Sequence, residues 1–77
     1  MSLEQLRLLL ADYLDDEEWR NLEDKDDLTD CGMDSIAFMS ITEELRSQDI
    51  MVTFMDLAEE TTVEAWHRKI QEKTTAQ

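Results

Sequence analysis

Proline is absent from the 77 residues, and glycine occurs once, as Gly32. With aromatics also scarce and Leu, Met, Glu and Ala recurring, little in the chain breaks a helix or favours a strand, so an all-α domain is expected. The single cysteine, Cys31, excludes an internal disulfide and a cysteine-based zinc set, which suits a reducing compartment. Basic residues are few: 7 against 20 acidic ones give a net charge of -13, so nucleic-acid backbones and anionic membranes should repel the chain. The acidity serves solubility or steers the protein towards basic partner surfaces. Long hydrophobic runs are missing as well. The opening MSLEQLRLLLADYLDD is interrupted by Arg7 and Asp12 and is too short for a signal core or a membrane span, so a cytoplasmic protein is expected.

What is present is helical periodicity. Ser2 and Gln5 have capping-box spacing, and Leu3, Leu6, Leu10, Tyr13 and Leu14 follow at helical intervals, predicting a first helix from about Leu3 to Leu14 with Leu8 off the stripe and exposed. From Asp15 to Asp34 the pattern dissolves into clustered carboxylates. A long loop is expected there, pinned by Trp19 and Leu28, with room for a short helical turn over Glu17 to Leu22. Asp34 and Ser35 are both good N-cap types for a second helix, Ser35 to about Gln48. On it Phe38, Ile41 and Leu45 form a core stripe, while Ile36 and Met39 share another side with Ser40 and Glu43. That second stripe is either a further core contact or a docking patch. Ile50 and Val52 should insert into the core. Thr53 and Asp56 predict a short third helix, FMDLAEE, anchored by Leu57. Thr61 and Glu64 predict a fourth, Val63 to about Glu72, carrying Val63, Trp66 and Ile70 inward and ending in a frayed TTAQ tail. One domain is expected over residues 1–77, ordered over about 2–73, with no repeat or linker.

The lone glycine lies three residues before Ser35, in DCGMDSIAFMS. Ser35 and His67 with a carboxylate could be drawn as a catalytic triad, but so small a bundle has no material for an oxyanion hole and substrate pocket, and His67 belongs on the outer side of its helix. An enzyme is not expected. A calcium loop turning at Gly32 would start at Asp27 and put Cys31 and Phe38 at ligand positions, so no metal site is expected either. Two readings of Ser35 stay open: an ordinary N-cap, or a modification site whose phosphate the helix start would stabilise. Gly32 would let the loop turn tightly and keep bulk from the hydroxyl, and Asp34 would help cap the helix.

The run GMDSI, Gly32 to Ile36, resembles the G-x-D-S-[LIV] signature of the acyl, peptidyl and aryl carrier proteins, and it falls where that family has it, after an amphipathic helix and a long acidic loop. DDLTDCGMDSI is similar to the family's loop end, with Leu28 as the apolar pin, and VTFMDLAEETTVEAWHRKI to the third and fourth helices of nonribosomal-peptide carriers. Thr53-Phe54, Leu57-Ala58 and Ala65-Trp66 are most similar to aryl carriers of siderophore synthesis. Two departures stand out: Cys31 replaces a larger apolar residue before the glycine, and Thr61 stands where many relatives have proline.

The resemblance implies a four-helix bundle of the acyl-carrier type. It implies that a phosphopantetheinyl transferase, using coenzyme A and magnesium, attaches 4′-phosphopantetheine to Ser35, with Gly32 and Asp34 as motif context. The arm's thiol would hold an acyl, aryl or aminoacyl group as a thioester. The implied setting is a free-standing, monomeric carrier for nonribosomal peptide synthesis, serving an adenylating enzyme, a condensation or related domain and a thioesterase. In aryl carriers the positions matching Met39, Phe54 and Ala58 dock partners, and Ile36 would complete that patch. A carrier for fatty-acyl or polyketide chains is the first alternative and would need a deep cleft between helices. An acidic adaptor without a prosthetic group is the second.

Overall fold

The computed structural model describes residues 1–75, with side chains through Thr74. Ser2 opens α1 (Leu3–Ala11) with a complete capping box: its Oγ accepts from the Gln5 N–H at 3.2 Å, and its own N–H donates to Gln5 Oε1 at 2.8 Å. α1 stops at Ala11, three residues short of the expected end. The Asp12 and Tyr13 N–H groups turn back to the Leu9 and Leu10 carbonyls, a tightened last turn that leaves Tyr13 and Leu14 half-buried outside the helix. Leu6, Leu9 and Leu10 face the core, and Leu8 is exposed as its position off the stripe predicts.

The expected turn in the acidic loop is α2 (Asp16–Arg20), one residue earlier at its start. Trp19 pins it by donating from Nε1 to the Arg7 carbonyl at 2.8 Å, and Leu22 and Leu28 are buried below. Arg7 holds the following stretch, pairing with Asp24 at 2.7 Å and donating to the Leu22 carbonyl. Trp19 and Leu28 are the pins expected from the sequence, and Leu22 adds a third. Arg7 was legible only as a break in a hydrophobic run.

α3 (Ser35–Ser47) buries Phe38, Ile41 and Leu45 as expected, together with Thr42, whose hydroxyl donates to the Phe38 carbonyl at 2.8 Å. Asp49, at φ 64°, turns the chain after it and sends Ile50 and Val52 into the core. α4 (Phe54–Glu59) starts on the Thr53–Asp56 capping box and is anchored by Leu57. α5 (Val63–Thr75) starts at Val63 as expected but differs in its cap and in its end. Its cap is Thr62, whose Oγ1 accepts from the Ala65 N–H at 3.1 Å, because the Thr61 hydroxyl is engaged by Asp27. It also runs beyond Glu72, so Thr74 and Thr75 are helical, Thr74 bonding back to the Ile70 carbonyl; the Ala76 and Gln77 of the expected frayed tail lie outside the described residues.

The fold is thus four helices around one core, with α2 in the long loop, as in the acyl-carrier bundle. Among the described residues no strand forms; a single antiparallel bridge pairs Asp27 with Thr62. Trp66 is the centre of the core. Its indole meets Phe38 edge-on, with ring centroids 5.2 Å apart, and its Nε1 donates to the Leu57 carbonyl at 2.9 Å, so α3, α4 and α5 converge on one side chain. Truncating such a residue removes packing from three helices and strips Leu57 of its donor. Trp66→Ala is expected to lose about 3–5 kcal/mol, which in a domain this small abolishes cooperative urea unfolding or moves its midpoint far down.

Candidate functional site

The approach to Ser35 is built on Leu28. Its side chain is fully buried, its N–H donates to the Thr61 carbonyl at 2.6 Å, and its own carbonyl accepts from both Cys31 and Met33 at 3.2 Å. The chain therefore reverses within four residues, and Gly32 takes φ 97°, a conformation that strains any residue with a Cβ. A Cβ at Gly32 would meet nothing within 4 Å, so within the fold it is the backbone conformation and not crowding that calls for glycine.

Met33 is buried beneath the turn and delivers Asp34 to the head of α3. Asp34 is the N-cap, accepting from the Ala37 N–H at 2.9 Å. Ser35 is consequently the first helical residue, exposed, and its hydroxyl makes no hydrogen bond among the described residues. The two readings open for Ser35 are now unequal: the capping work is done next door.

Around Ser35 the residues expected to dock partners divide into two kinds. Ile36 and Met39 stand out into solvent, 73% and 58% exposed. Phe54 is half-buried, its ring 6.3 Å from that of Phe38, and Ala58 is half-buried on the same short helix. Met51 and Met55 are exposed as well, and sequence reasoning passed over them because neither falls on a stripe. His67 is not brought to Ser35: its ring Nε2 lies 3.1 Å from Gln71 Nε2 on the same helix, and among the described residues no carboxylate pairs with it. No cluster of metal ligands forms among the described residues, and no described helix is long and apolar enough to cross a membrane.

The carboxylates shape this region in two ways. Cys31 is half-buried in the turn, and burial first, then Glu18, Asp26, Asp30 and Asp27, push its thiol above the ordinary range, so it is a poor nucleophile at neutral pH. Asp27 is held below the usual carboxylate range by hydrogen bonds from the Thr61 hydroxyl at 2.6 Å, the Thr29 hydroxyl at 2.7 Å and the Thr29 N–H at 2.9 Å. With the Glu64 N–H donating to the Asp24 carbonyl at 2.9 Å, these bonds clasp the loop to the start of α5.

The family described as "Phosphopantetheine attachment site" matches residues 4–70. An isochorismatase of Bacillus subtilis (strain 168) is 36% identical over 67 residues, 87% of this chain and 21% of that protein. Pyochelin synthetase PchE of Pseudomonas aeruginosa is 43% identical over 63 residues, 82% of this chain and 4% of the synthetase. The chain therefore spans about a fifth of the one relative and a small fraction of the other. No solved structure matches it significantly.

The clasp responds to pH with a fixed sign. Because folding lowers the Asp27 pKa, its stabilising contribution is present above the ordinary carboxylate range and is lost as pH falls through the folded-state value. Thr61→Val removes the largest of the three causes. In a carboxyl-carbon NMR titration the Asp27 midpoint should rise towards the ordinary value, and the variant should be less stable than wild type at neutral pH, with the gap closing in acid.

Proposed function

The chain belongs to the phosphopantetheine attachment site family, and on that premise we propose that Ser35 Oγ is the attachment point of its 4′-phosphopantetheine and that the chain is a non-catalytic carrier. The observation that carries this reading is the free hydroxyl at the first position of α3, beside a cap supplied by Asp34. The residues present fit the group: the hydroxyl is exposed, and the first-turn N–H groups and dipole of a 13-residue helix favour a phosphodiester there. In the transfer, Ser35 Oγ forms a P–O bond while the pyrophosphate P–O bond of coenzyme A breaks, the hydroxyl proton passing to the transferase and adenosine 3′,5′-bisphosphate leaving. When bound, the arm supplies a terminal thiol that holds a carboxylic acid as a thioester.

This chain's own residues supply position and recognition. Gly32 and Leu28 present Ser35 on a short turn, and Asp34 keeps the helix start intact. Ile36 and Met39, with the half-buried Phe54 and Ala58, form the docking face, where exposed methionine is an adaptable anchor for partners bound in turn. The acidic surface speeds encounter with basic partners, while the apolar contacts discriminate among them.

The setting we infer is nonribosomal peptide synthesis, with the chain acting as a free-standing, monomeric cytoplasmic carrier of one domain. An adenylating enzyme loads it with an aryl or aminoacyl group, a condensation or related domain unloads it, and a thioesterase serves release. Two observations support this setting over a fatty-acyl one. A synthetase is among the relatives, and the rings of Phe38, Phe54 and Trp66 pack together between α3, α4 and α5, where an alkyl chain would need room.

Incubation with coenzyme A, magnesium and a broad-specificity phosphopantetheinyl transferase should add one phosphopantetheine to the intact mass of the wild type and none to Ser35→Ala. No gain on folded, unmodified protein with several transferases would leave an acidic adaptor as the remaining reading. On the holo protein, Met39→Asp should lower kcat/KM for loading by an adenylating partner by roughly tenfold, with the circular dichroism spectrum unchanged.

A further inference from the structure

Leu8 is explained neither by the core nor by the surface beside Ser35. It projects from α1, 63% exposed, and forms the common wall of two open hollows. The larger, of about 320 Å³, lies between α1 and the C-terminal part of α3, with Met1 and Leu9 on its apolar side and Asp12 and Glu44 on its polar side. The smaller, of about 230 Å³, separates Leu8 from Trp19 and is bordered by Glu4 and Arg7.

The unpaired side-chain charge around these hollows is negative. Arg7 is already held by Asp24 and the Leu22 carbonyl. Among the described residues Glu4, Asp12 and Glu44 have no ion pair, and the one side-chain hydrogen bond these carboxylates take is a long one from the Tyr13 hydroxyl to Glu44, at 3.5 Å. An apolar knob between two hollows, rimmed by unpaired carboxylates, is complementary to a surface with apolar side chains flanked by lysine or arginine. A second copy of this chain does not fit, because each carries -13.

We propose that this face of α1 is a second docking surface, which takes a cationic amphipathic helix of a partner protein. Leu8 seats between that helix's apolar side chains, which enter the two hollows, and its basic side chains meet Glu4, Asp12 and Glu44. Glu44 lies nine residues along α3 from Ser35, roughly 14 Å of helix. An occupant of this face therefore leaves Ser35, Ile36 and Met39 open, and one partner can retain the protein while another works at Ser35.

The test is an amide NMR titration of the full chain with a synthetic amphipathic Leu/Lys helix at physiological ionic strength, where unspecific charge attraction is screened, with a Leu/Glu helix as control. The Leu/Lys helix should perturb Gln5, Leu8 and Glu44 while leaving Ile36 and Met39 in place, and the control should not bind. Leu8→Ser should weaken binding about tenfold, and Asp12→Lys, which keeps the leucine, should weaken it severalfold. Perturbations spread over the whole acidic surface or centred on Met39, or an affinity that Leu8→Ser does not change, would overturn the proposal. Ser35→Ala should bind as wild type does, so this outcome and that of the phosphopantetheine assay are independent.

Discussion

Leu28 is held on every side that can bond: its side chain in the core, its N–H by α5's approach and its carbonyl by the two amides of the turn before α3. A loop of some twenty residues carries many conformations, and its ordering has to be offset locally. The offset is supplied by that residue together with the Asp27–Thr61 bond on one flank and the Arg7 and Trp19 contacts on the other. Remove the anchor and Gly32, Met33 and Asp34 have no fixed origin from which to place the head of α3. The position of Ser35 is thus set by long-range contacts to α1 and α5, and the local motif alone does not fix it.

That dependence explains what could be read from the chain and what could not. Periodicity exposed α1, α3, α4 and α5, because apolar spacing and cap residues are local signals: Ser2 with Gln5 and Thr53 with Asp56 form the boxes their spacing announces. A cap was misassigned where a tertiary contact intervened. Thr61 has the spacing of a cap, yet Asp27, thirty-four residues away, takes its hydroxyl and the capping passes to Thr62. Ser35 was equally ambiguous, since Asp34 and Ser35 are both competent caps and the choice between them depends on how the turn delivers the chain. Arg7 was invisible in its true role because its partners, Asp24 and the Leu22 carbonyl, lie in a stretch without periodicity.

Electrostatics divides the molecule's few cations from its many anions. Among the described residues, Arg7, Arg68, Lys69 and Lys73 lie in ion pairs, and the last three tie α5 to α4 and its C-cap. Lys69 is the most enclosed of them and also donates to the Asp56 carbonyl at 2.5 Å, whereas the Arg68–Glu60 pair is open to water and contributes little. The basic side chains work largely inward, so the outward field is dominated by carboxylates. Association of such a surface with a cationic one is fast and falls with ionic strength, and only a few exposed apolar side chains, Leu8, Ile36, Met39, Met51 and Met55, interrupt it.

The separation of the cap from the neighbouring hydroxyl reaches beyond the geometry of one turn. Had Ser35 closed the end of α3 itself, esterifying it would have taken away an acceptor that the backbone needs, and each charge state of the protein would have had its own stability. With Asp34 in that role, the oxygen of Ser35 can change its chemistry without removing a single hydrogen bond from the fold. The hydrogen bonding of the fold is therefore independent of that oxygen: a change of chemistry there leaves the start of α3 its cap.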